Sequence, residues 1–106
     1  MVKRLKEDIY DRDPEFSTTF WQDFSIADRF GANAIKDTFN RAFNEWKDDY
    51  KYLTDLVIVL NWKCWDWYEK DQKISELYSK LYEKANRYAL SHLKGDELSY
   101  FFRVTD

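Results

Sequence analysis

Apolar residues recur along this chain at steps of three and four, the interval that lines one face of a helix rather than one side of a strand. Phe16, Phe20, Phe24, Ala27 and Phe30 make the first such stripe. Asp13 is placed to cap it, Pro14 suits a first helical position, and Gly31 supplies a stop. A second stripe, Ile35, Phe39, Ala42, Phe43 and Trp46, follows Asn33, a candidate cap. A third helix is expected over residues 51–70. Leu53, Val57, Leu60, Cys64, Trp67 and Tyr68 gather on one side of it, with Asp55, Lys63, Asp66 and Lys70 opposite. Asp71 opens a fourth helix whose face carries Ile74, Leu77, Tyr78, Leu81, Ala85, Tyr88, Ala89 and His92, and Gly95 closes it. A short last helix capped by Asp96 would carry Leu98, Phe101 and Phe102.

The run Leu56-Val57-Ile58-Val59-Leu60 would suit a buried strand by composition alone. The length of the surrounding pattern decides for helix. Ile58, Trp62 and Trp65 form a second apolar strip on the flank of that third helix. A helix apolar on two sides is either central or covered by a partner. The expected fold is therefore all-α: a compact bundle of four main helices plus a short C-terminal one. Residues 13–106 form a single domain behind a flexible arm over residues 1–12, where charges alternate with isolated apolar residues.

Composition supports this picture. Two Gly and one Pro in 106 residues suit long helices and few tight turns. Hydrophobic residues make up 44% and charged residues 35%, enough for one core and a polar surface. Aromatic residues make up 20%, more rings than a core of this size hides completely, and Tyr and Trp favour interfaces. The formal charge of −3 argues against general electrostatic binding to nucleic acid. The single cysteine, Cys64, cannot form an internal disulfide, which fits a reducing compartment. The charged first residues lack the apolar stretch of a signal peptide, and no apolar run is long enough to span a bilayer. A cytoplasmic location is expected.

Candidate chemistry is sparse. One His and one Cys cannot supply most nucleophile–base arrangements or a zinc site, and both fall on apolar faces. No phosphate-cradling glycine loop is present, since the two glycines are Gly31 and Gly95. These features predict no catalytic residue, no metal and no cofactor. Residues 26–46 offer an alternative, a DNA-binding or transcription-associated protein with a helix-turn-helix-like unit. Lys36 and Arg41 would then be the DNA contacts. Asp37 and Asn40 fall where such a unit wants apolar residues, which favours a plain helical hairpin. The preferred expectation is a non-enzymatic protein–protein interaction module using Ile58, Trp62 and Trp65. Its partner would be another protein or a second copy of this chain as a homodimer. Lys73, Lys80, Lys84 and Arg87 on the fourth helix read as a solvated face neutralised by Glu76 and Glu83.

Phe20-Trp21-Gln22-Asp23-Phe24-Ser25-Ile26-Ala27-Asp28-Arg29-Phe30-Gly31 and Asp37-Thr38-Phe39-Asn40-Arg41-Ala42-Phe43-Asn44-Glu45-Trp46 are joined by the ending Gly95-Asp96-Glu97-Leu98. Together they resemble a group of small bacterial proteins associated with mobile elements, for which no activity is assigned. The resemblance spans most of the chain. It implies a bacterial cytoplasmic protein and transfers no functional residue.

Overall fold

The computed structural model describes the backbone of residues 14–105 and the side chains of residues 19–105. The expected arm over residues 1–12 and the Phe16 side chain lie outside the described residues. Five helices run in order: α1 (Pro14–Asp28), α2 (Ala32–Trp46), α3 (Tyr50–Trp67), α4 (Gln72–His92) and α5 (Asp96–Thr105). Among the described residues there is no strand. The chain is an all-α bundle with α3 at its centre, touching each of the other four helices.

The punctuation is local chemistry. Gly31 adopts φ +100°, which a side-chain-bearing residue rarely tolerates, and turns the chain from α1 into α2. Asn33 was the expected cap of α2, but Gly31 occupies that position and caps without a side chain. Asp49 opens α3 by accepting from the Lys51 and Tyr52 amides at 3.1 and 3.3 Å. Asp71 does the same for α4 with Lys73 and Ile74, at 3.0 and 3.3 Å. Each side chain satisfies donors that the first helical turn leaves without partners, worth about 1 kcal/mol. Gly95, at φ +59°, makes the turn into α5.

Residues Leu53, Thr54, Asp55, Leu56, Val57, Ile58, Val59 and Leu60 are all buried, so the middle of α3 is enclosed on every side. Its two-sided apolar pattern marks a central helix. Phe24, Ile35, Phe39, Leu56, Leu60 and Tyr78 are fully buried around it. Phe24 meets Tyr78 edge to face at 5.7 Å, and Phe39 stacks on Phe43 at 5.3 Å. On the far side, Ile58 and Val104 bring α5 onto α3.

Several expected positions differ. α3 stops at Trp67, short of Lys70, and Tyr68 lies beyond it, 53% exposed. Phe30 follows the end of α1, so its step in the stripe no longer points inward; it is 76% exposed. Asp55 and Lys63, expected on a wet side, are 1% and 2% exposed: Asp55 lies in the enclosed middle of α3, and Lys63 packs onto Ser25 and Asp28 of α1. His92, the last residue of α4, is exposed and stacks on Tyr88 at 3.8 Å. In α5, Phe101 is buried and Phe102 turns outward, with Val104 taking the second inward position. Cys64 is half-buried, its thiol 3.6 Å from the Ser75 hydroxyl.

Candidate interaction surface

The three residues expected to form an association strip lie in three different environments. Ile58 is buried against Val104, so α5 covers it within the chain. Trp62 is half-buried, packed beside Ile58 and edge-on to Trp21, with centroids 6.5 Å apart. Trp65 is 64% exposed and tilts against Tyr68 at 5.4 Å. The continuous strip therefore breaks after Trp62. Its outer end, joined by Tyr68, is a pair of large rings in solvent at the end of α3.

Beneath that end lies a buried polar cluster tying α1, α3 and α4 together. Lys63, from α3, donates to the Ser25 hydroxyl at 2.7 Å and to Asp28 Oδ2 at 2.8 Å, both on α1. The Trp21 ring centroid lies 4.1 Å from the same ammonium, where its π-face stabilises the charge. Asp28 is equally well supplied. Trp67 Nε1 donates to Oδ2 at 3.2 Å, and the Tyr78 hydroxyl from α4 donates to Oδ1. The ion-paired side chains retain only 3% (Lys63) and 10% (Asp28) of their exposure. A charge so far from water is tolerable only when its hydrogen-bonding capacity is filled, as it is here. Burial, foremost, and the hydrogen bond to Asp28 push the Tyr78 hydroxyl far above the usual tyrosine range. The groups saturate one another, so the cluster acts as a structural tie between three helices.

Sequence reasoning missed this cluster because it sorted Lys63 by charge. The spacing was informative: Lys63 stands three or four residues from Val59, Leu60 and Trp67, on an apolar side of α3.

The alternative unit at residues 26–46 forms a hairpin of α1 and α2. Lys36 and Arg41 are both exposed, and Arg41 donates to the Thr38 hydroxyl at 3.5 Å. An open groove of about 300 Å³ runs between the two helices, with Ile26, Phe30, Asp23, Asp37 and Arg41 among its walls. Two carboxylates thus share this groove with Arg41, an arrangement unfavourable to a phosphate backbone.

Among the described residues, no three His, Cys, Asp or Glu side chains gather closely enough to hold a metal ion. No described helix is long and apolar enough to cross a membrane. Comparison of the chain with protein-family models, curated proteins and solved structures gives no match.

Proposed function

We propose that this chain is a non-enzymatic protein–protein interaction module whose contact surface is the aromatic end of α3. The observation that carries the reading is the exposure of Trp65 and Tyr68, at 64% and 53%, as a touching pair where α3 ends. Buried aromatic anchors dominate binding energy at protein interfaces, and solvent exposure of two such rings costs free energy that a partner recovers. A second copy of the chain is one such partner. The resemblance to bacterial proteins of mobile elements supports a cytoplasmic setting for it.

Sedimentation velocity over a concentration series, on wild type and Trp65→Ala, tests this reading. Wild type is expected to associate, and Trp65→Ala to remain monomeric with an unchanged far-UV helical signal. Truncation of a buried Trp anchor typically weakens an interface by about 2 kcal/mol or more, on the order of thirtyfold. Equal association of the two proteins would remove Trp65 from the contact. A wild type monomeric at high micromolar concentration would rule out self-association.

A further inference from the structure

α2 and α4 meet along an open groove of about 370 Å³ whose walls include Phe43, Lys80, Lys84, Arg87 and Tyr88. We infer that this groove is a docking site for an acidic segment of a partner protein. Neither Trp65 nor Tyr68 lines it, and it does not depend on them.

The floor is aromatic and fixed. Phe43 is 9% exposed and meets Tyr88 edge to face at 5.1 Å. Tyr88 is held from both sides, by His92 stacked at 3.8 Å and by a 3.3 Å hydrogen bond from its hydroxyl to Asp48. Around this floor stand four cations. Lys84 Nζ lies 5.6 and 5.8 Å from the centroids of Phe39 and Phe43, and Lys47 Nζ 6.0 Å from those of Phe43 and Tyr88. Lys80 and Arg87 complete a row with Lys84 along α4, one helical turn apart or nearly so.

The expected internal neutralisation is incomplete. Arg87 and Glu83 approach to 3.9 Å with both side chains largely in solvent, a weak pair. Among the described residues Glu76 and Lys80 form no ion pair within 4.0 Å, and neither Lys47 nor Lys84 is held by a carboxylate. The groove itself is lined by three cations, Lys80, Lys84 and Arg87, against one carboxylate, Glu83, in a chain whose net charge is −3. Positive charge is concentrated here against the sign of the whole molecule, which steers anionic groups to this site.

Shape and charge together favour an acidic peptide. The groove is open along its length, so it cannot enclose a small molecule as ligand pockets do. Cations at turn spacing match carboxylates at the same spacing on an acidic helix or strand, while the Phe43–Tyr88 floor gives an apolar side chain of the segment a surface to rest on. A nucleic acid fits less well. Its affinity comes from many phosphate contacts, and here Glu83 interrupts the row while the net charge repels a polyanion.

Titration of the full ¹⁵N-labelled chain with three probes at low salt tests the proposal. The probes are a hexaglutamate peptide with one central phenylalanine, its hexalysine counterpart, and a single-stranded DNA oligonucleotide of equal negative charge. The glutamate peptide is expected to shift the amide resonances of Lys47, Lys80, Lys84, Arg87 and Tyr88, with no response to the lysine peptide. Lys80→Glu/Arg87→Glu should weaken binding at least tenfold with spectral dispersion retained; this pair spares Lys84, whose ammonium lies 5.6 Å from the Phe39 ring centroid. An absent response at millimolar peptide, or shifts unaffected by the double substitution, would overturn the proposal. So would an oligonucleotide that binds the groove more tightly than the peptide.

Discussion

Replacing Lys63 by Met keeps most of the side chain's apolar stem and removes its charge together with its donors to Ser25 and Asp28. Asp28 would keep the Trp67 and Tyr78 donors but lose the cation 2.8 Å away. Breaking a buried pair from one side costs about 3–5 kcal/mol. Because Asp28 retains two donors and 10% of its side-chain exposure, the lower end, about 3 kcal/mol, is expected. Asp28→Asn should cost about 4 kcal/mol, since it leaves the Lys63 ammonium, 3% exposed, without its counter-charge. With a urea slope of about 1–3 kcal/mol/M, Lys63→Met lowers the unfolding midpoint by roughly 1–3 M. The Lys63→Met/Asp28→Asn double variant buries no net charge. It should fall short of the summed losses by at least about 1 kcal/mol. Urea denaturation of the four proteins, followed by far-UV circular dichroism, measures the cycle. Losses that add to within about 0.5 kcal/mol would show that the two groups do not interact as described.

Tyr78 gives a pH dependence whose sign follows from its raised folded-state value. Below about pH 10 the hydroxyl is neutral in both states; above it the unfolded chain loses this proton and the folded one does not, so stability falls as pH rises. In an ultraviolet titration of the eight tyrosines, Tyr78 should ionise only with unfolding, and Tyr78→Phe should abolish that late, cooperative component. Val104→Ala, at a fully buried position against Ile58, should cost about 2 kcal/mol in thermal or chemical unfolding. Phe102→Ala, at a half-exposed position two residues earlier on the opposite side of α5, should stay within about 0.5 kcal/mol; equal losses at both would mean α5 packs on a different face.

The fold was legible where local chemistry determines it. Pro14, Gly31, Asp71 and Gly95 each mark a boundary because each has a specific backbone or hydrogen-bonding consequence. Periodicity was enough for the middles of the stripes of α1, α2 and α4, but not for Phe30 and His92 at their ends, which face solvent. What escaped depends on how helices pair. Nothing local tells Lys63 that Ser25 and Asp28 wait across the interface, so its charge reads as a mark of solvent. Val104 needed knowledge of which face of α5 meets Ile58. The outward strip of α3 was legible as an anomaly, but whether it met α5 or water depended on the pairing. The row Lys80, Lys84 and Arg87 is readable as basic, yet its aromatic floor comes from Phe43 on another helix.

The enclosure of α3 also bears on how the molecule fails. Leu56-Val57-Ile58-Val59-Leu60 is uncharged, free of Pro and Gly and rich in β-branched residues, the profile of a segment that pairs with copies of itself once exposed. The helical bundle keeps it out of reach only while all its neighbours are in place. Asp55 and Lys63 flank it as charged gatekeepers, and in the unfolded chain they oppose stacking of like strands. Lys63 therefore serves both states: an anchor in the bundle, and a brake on intermolecular β-structure when the bundle opens. Losing it weakens the fold and unguards the segment in one step, so such variants should be depleted from cells by aggregation ahead of simple unfolding.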